Sequence, residues 1–130
     1  RGVDGEGHAE ASARAAERIL RALGYPEGRI ARVVEAIRSH GLSSSRAPRS
    51  VEAAILSDAD KLDAIGAVGV ARAFMESGRR GRGFEETLRH FEEKLLRLRD
   101  MMYTGEGRRL AEARHKAMEE FLEELLREQL

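Results

Sequence analysis

The run Leu56-Ser57-Asp58-Ala59-Asp60-Lys61-Leu62-Asp63-Ala64-Ile65-Gly66 decides how the chain is read, because three carboxylates and a lysine interrupt an otherwise apolar helical pattern. At about 100° per residue, Asp60 shares a helical face with Ala53, Leu56, Ala64 and Ala67, so its carboxylate is expected to point into packed protein. A bare buried carboxylate is costly, and the remedies are a metal ion, an arginine partner or a pKa shift that neutralises the group. Arg72 and Arg114 are the candidate partners. Asp58 lies about 160° from Asp60 and is assigned to the scaffold, as a hydrogen-bond acceptor or ion-pair partner. Asp63, about 60° away, is placed to support Asp60. Lys61 points about 100° from Asp60, which leaves open a contact with phosphate or a pairing with a neighbouring acid.

Composition narrows the setting. One hundred and thirty residues make one domain with room for a sizeable core. The 23 basic and 23 acidic residues cancel and are interspersed, so no basic footprint for a polynucleotide exists. With no cysteine, metal ligands are restricted to histidine and carboxylate, and a cytoplasmic location is expected. No apolar run approaches the roughly 20 residues of a membrane span, so no membrane partner is expected. Asparagine is absent, glutamine occurs once and arginine outnumbers lysine 20 to 3, which suits a thermophile or a GC-rich source. Residues 1–7 read as a glycine-rich loop without an initiator methionine, and further sequence is expected upstream of Arg1.

Along the chain, Ala9, Ala13, Ala16, Leu20 and Leu23 predict an alanine-rich helix ending at Gly24. After Pro26, Ile30, Val33, Val34 and Ile37 predict a second helix that ends near His40. Residues 41–49 read as a surface loop, and Ser50 as the N-cap of a third helix with Glu52 in its first turn. Apolar sequence runs on past Gly66 and Gly69 to Phe74, predicting an enclosed central helix or a broken helix pair. Gly78 to Gly83, with Arg79, Arg80 and Arg82, reads as a mobile basic loop able to draw in an anion. Phe84, Leu88, Phe91, Leu95, Leu98 and Met102 predict a long fourth helix. The last, from about Arg108, turns Leu110, Ala117, Phe121, Leu122 and Leu125 inward and completes a hairpin over residues 84–130. Arg114, on that inward face, is expected to pair with a carboxylate. No strand pattern is present.

Three polar groups resist explanation by packing: His8 heading the first helix, His40 ending the second, and Asp60. Imidazole with carboxylate suits a divalent transition metal. A surface residue in the case of His8, and a cation at the helix dipole in the case of His40, are the competing readings. His90 and Lys94 stand one helical turn apart on a stripe with Arg97, either a solvated face or a phosphate-binding pair.

The run His8-Ala-Glu-Ala-Ser-Ala, then Ile37-Arg-Ser-His40, then Pro48 through Asp58-Ala-Asp60-Lys61-Leu62-Asp63-Ala-Ile-Gly66 to Gly69-x-Ala-Arg72, then His90-Phe91-x-x-Lys94-Leu95, resembles the HD-domain metal-dependent phosphohydrolases, most closely their small prokaryotic branch. The resemblance implies an all-α, HD-domain-like bundle with a C-terminal helical hairpin. It matches Asp60 to the final metal-ligating aspartate of the family. His8 and His40 match the intervening histidines, which are ligands in binuclear branches and contact substrate in others. The family's first histidine and its His-Asp pair are absent from residues 1–130. The implied activity is hydrolysis of a nucleotide or other phosphate ester by water activated at a divalent ion (Mn, Ni, Co, Fe, Zn or Mg), in a protein that is a candidate homodimer. Asp60 and Asp63 are then the catalytic carboxylates, and Lys61, Arg72, His90 and Lys94 the substrate-binding residues. A catalytically incomplete helical module for ligand binding or dimerisation is the alternative.

Overall fold

The computed structural model describes residues 5–40 and 47–128, with only the backbone of residues 5 and 6. Among them are six α-helices, one 3-10 helix and no strand, the expected all-α fold: α1 (Gly5–Ala22), α2 (Glu27–Ser39), α3 (Val51–Asp63), α4 (Gly66–Arg79), α5 (Phe84–Glu93), the 3-10 helix (Leu95–Met101) and α6 (Gly105–Glu128). Helix α1 begins at Gly5, inside the expected 1–7 loop; residues 1–4, and residues 41–46 of the expected 41–49 loop, lie outside the described residues. The chain groups into two compact units, residues 1–60 and 61–130.

In the first unit α1 and α2 form an antiparallel hairpin. Gly24, at φ +74°, closes α1 in the left-handed conformation that glycine adopts freely: the Tyr25 amide bonds to the Leu20 carbonyl and the Gly24 amide to Arg21. The Pro26 carbonyl then accepts from Arg29 and Ile30, opening α2 at once. Ala13, Ile30 and Val34 are buried at the contact, with Leu20 and Ile37 packed against them, and the small Ala13 lets the helices approach closely. Val33 and Leu23, counted with the apolar stripes, lie outside this contact at 38% and 69% exposure. Each end of the hairpin carries an ion pair. At the turn, Arg21 forks onto Glu27 at 2.8 and 3.0 Å; at the open end, Arg38 forks onto Glu10 at 2.8 and 2.9 Å. The Ser50 hydroxyl accepts from the Ala53 amide at 3.1 Å and caps α3 as its sequence predicts.

In the second unit the apolar run from α3 to Phe74 is a broken pair. Helix α3 stops at Asp63 and α4 starts at Gly66, whose φ of +80° no β-carbon-bearing residue adopts cheaply. A β-carbon on Gly69 would lie 2.3 Å from the Ala64 carbonyl oxygen, so the corner closes only on glycine. Phe74 of α4 meets Phe84 and Phe91 of α5 and Phe121 of α6, with ring centroids 5.4 to 5.9 Å apart. The predicted fourth helix ends at Glu93, and the 3-10 helix that follows, at three residues per turn, turns Leu95 and Leu98 to the same buried side. On α6 the buried line is Gly107, Ala111, His115 and Met118, one step round from the predicted face; Ala117 and Phe121 are exposed. The predicted basic loop is a capped helix end. Gly81, at φ +69°, allows its amide to reach Gly78 and the Arg82 amide to reach Ser77.

Candidate functional site

The motif helix buries a different face from the one its spacing suggests. The buried line of α3 is Ala53, Ser57 and Lys61, with Asp58 beside it, whereas Asp60 is half-buried and Leu56 is 37% exposed. Ala64 and Ala67, counted on the face of Asp60, lie beyond the end of α3, so the projected apolar surface is interrupted by the corner. Nor is the pair enclosed all round: Val51, Ile55, Val68 and Met75 are 55% to 74% exposed. Asp58, at 2% exposure, occupies the interior position that a scaffold carboxylate needs. Lys61 is 3% exposed, with its Nζ 4.7 Å from the centre of the Tyr103 ring, so the aromatic face shares its charge.

Both arginines suggested as partners for Asp60 bind other groups. Arg72 makes a salt bridge with Asp63, both largely exposed. The Arg114 guanidinium donates to the Leu62 carbonyl, a backbone acceptor in place of the expected carboxylate. The physical reason is the helix end: the last carbonyls of α3 have no intrahelical partner, and a cation at that terminus satisfies one of them.

His8, His40 and Asp60 belong to the first unit. The antiparallel hairpin brings His8, exposed near the start of α1, and His40, half-buried after α2, to its open end. The Nδ1 of His40 bonds to the Ile37 carbonyl. Because a carbonyl can only accept, Nδ1 is the donor in this bond, and in the neutral ring Nε2 keeps its lone pair for a metal. That tautomer is the one seen in metal-ligating histidines whose second nitrogen is held by backbone. His40, His8 and Asp60 thus have the donor chemistry of a divalent-metal site, while no three His, Asp or Glu side chains among the described residues group closely enough to hold an ion. A cleft of about 910 Å³ between α2, the end of α1 and residues 47–49 is lined by Ile30, Val34, Arg38, Ser39, Pro48 and Arg49 with three glutamates, a surface of mixed charge.

Lys61, Asp63, Arg72, His90 and Lys94 belong to the second unit. His90 is half-buried, and burial, followed by the charges of Lys94 and Arg82, lowers its pKa below 6.5, so the imidazole is neutral near pH 7. Lys94 is exposed at the end of α5. Arg79 and Arg80 both bond to Glu76, whose carboxyl they hold down at about 2, Arg79 having the larger effect. One carboxylate thus offsets one of these two positive charges at the end of α4. Two features escaped the sequence reading. His115 is 5% exposed on α6, with Nε2 3.1 Å from Glu119 and a buried Nδ1 that has no hydrogen-bond partner among the described residues. Its spacing of four from Ala111 and three from Met118 was a visible signal. The Glu10–Arg38 fork had none, since 28 positions separate the pair.

Residues 2–65 match the family model for the HD domain, a segment that contains His8, His40 and Asp60. The uncharacterized protein YpgQ of Bacillus subtilis is 49% identical over 85 residues, 62% of this chain and 42% of that protein, so the chain spans about two fifths of its curated relative. The crystal structure of YpgQ in complex with ADP superposes with a TM-score of 0.77 at 38% identity, covering 89% of this chain and 61% of that one. An HD-superfamily hydrolase from Bacillus thuringiensis gives 0.76 at 34% identity over 92% and 63% of the two chains. For one from an uncultured Thermotogales bacterium the values are 0.66 and 34%, over 99% and 57%. No helix among the described residues is long and apolar enough to cross a membrane.

Proposed function

From the match of residues 2–65 to the HD-domain model we propose that this chain is part of an HD-domain, metal-dependent phosphohydrolase acting on a nucleotide or another phosphate ester. The observation that carries the reading is the coincidence of the matched segment with the three donors His8, His40 and Asp60. A divalent ion supplies the acidity that turns water into a nucleophile near neutral pH and the charge that polarises a phosphoryl oxygen. His40 offers Nε2 and Asp60 a half-buried carboxylate to it. The remaining assignments follow from the same reading. His8 is a third ligand, Asp63 supports Asp60 on the catalytic side, and Lys61, Arg72, His90 and Lys94 serve the substrate. The complex of YpgQ with ADP supports a nucleotide as the substrate class. A small phosphorylated substrate, a cytoplasmic location and homodimer formation complete the proposal.

A second reading is favoured by one specific observation, the lack of a three-donor cluster among the described residues: a helical module that binds a ligand or dimerises without catalysis. Assay of the full-length protein against a panel of nucleotides with Mn²⁺, Ni²⁺, Co²⁺ and Mg²⁺ separates the two. The hydrolase releases phosphate or pyrophosphate with at least one ion and loses that activity on chelation; the module releases none with any.

A further inference from the structure

The open end of the α1–α2 hairpin carries the two histidines, and one ion pair closes it. Glu10 lies two residues after His8 and Arg38 two residues before His40. The Arg38 Nε and Nη2 meet the two Glu10 oxygens at 2.8 and 2.9 Å, a parallel two-bond fork, with the side chains 37% and 40% exposed. A fork of this kind fixes distance and orientation together, which a single point charge does not. At this end the buried apolar contacts are the small side chains Ala9 and Ala36, with Ile37 packed on the cluster of Ala13, Ile30 and Val34 further along the hairpin. The end that holds the histidines is therefore set by a polar clamp, not by packing alone. The opposite end has its own clamp, Arg21 on Glu27 and Glu17, so the two ends can be loosened separately.

We propose that Glu10 and Arg38 are a positioning pair: their fork sets the relative placement of His8 and His40 at the open end of the hairpin, and with it the ability of that end to bind a metal. The second half of this statement rests on the hydrolase reading above; the first half does not.

The test uses the full-length protein and four variants: Arg38→Lys, Glu10→Gln, the exchange Glu10→Arg with Arg38→Glu, and Arg21→Lys as a control at the turn. Two measurements are made, amide hydrogen exchange without metal and Mn²⁺ binding by calorimetry. Arg38→Lys and Glu10→Gln are expected to speed exchange at residues 8–12 and 37–40 while leaving the turn unchanged, and to weaken Mn²⁺ binding about tenfold, the lower end for loss of a residue that orients ligands. The exchanged pair is expected to restore both to within about threefold, on the same fork geometry. Arg21→Lys is expected to alter exchange only near the turn and to leave Mn²⁺ affinity unchanged. Wild-type exchange in Arg38→Lys and Glu10→Gln, or equal weakening of Mn²⁺ binding by Arg21→Lys, overturns the pair as a positioning device. A wild-type protein that binds no Mn²⁺ removes the hydrolase reading, and the exchange measurement still decides the clamp.

Discussion

Arg114 and Leu62 meet across 52 positions of sequence: the guanidinium of α6 donates to the last turn of α3, and its stem lies against Gly66. A β-carbon on Gly66 would fall 3.0 Å from Arg114 Cγ and 3.1 Å from Cβ, at a backbone φ of +80°. The glycine and the arginine thus define the corner jointly, one by lacking a side chain and the other by filling the space. Gly66→Ala should destabilise the protein by about 1–2 kcal/mol, the cost of a left-handed L-residue. Gly69→Ala, whose β-carbon meets a backbone oxygen that cannot rotate away, should reach the upper part of the roughly 1–3 kcal/mol range for overpacking. Urea unfolding of the two variants checks the order; a neutral Gly69→Ala would contradict the close approach at Ala64.

His115 places a polar ring on the buried line of α6. An orphaned buried donor or acceptor costs about 1–3 kcal/mol, whereas its Nε2 contact is with a half-exposed Glu119 that returns less. His115→Met, similar in volume and free of the orphan, should therefore raise stability by about 1 kcal/mol. Thermal melting decides it: an unchanged or lower Tm would mean that the ring's contacts outweigh its unmet hydrogen bond.

Stability should depend on pH through His90. Its pKa in the folded state lies below the ordinary 6.5, so the unfolded chain binds the extra proton first. The stabilisation is fully present above about pH 6.5 and is lost as pH falls from there through the lowered folded value. A second loss follows below about pH 4.5, as the Glu76 carboxyl approaches its folded value of about 2 and leaves Arg79 and Arg80. Unfolding curves between pH 7 and pH 5 should show the first slope, and His90→Gln should flatten it. An identical slope in the variant would assign the effect to another group.

The fold class and the helix ends were readable wherever punctuation is local. Gly24, Pro26 and Ser50 act within a few residues, and the structure uses each as its chemistry predicts. The face of Asp60 was not readable, because a helical projection assumes that the helix continues, and α3 ends three residues later. Burial of Lys61 and the Leu62–Arg114 bond depend on α6 and on Tyr103, which no local pattern couples to the motif. His115 was passed over for a different reason: a polar residue was excluded from an apolar stripe that its spacing fitted. Of the candidate site, the residue types were legible in the sequence pattern, whereas the common end of His8 and His40 and the clamp beside them needed the tertiary pairing of α1 with α2.

The most direct test of the account is the metal content and nucleotide hydrolysis of the full-length protein against its Asp60→Ala variant, both purified under identical conditions and judged folded by far-ultraviolet dichroism. The account predicts bound divalent ion and measurable hydrolysis in the wild type, with metal content reduced and turnover lowered by at least about a hundredfold in the variant, as loss of a metal-ligating group entails. Full metal content with unchanged turnover in Asp60→Ala would contradict it.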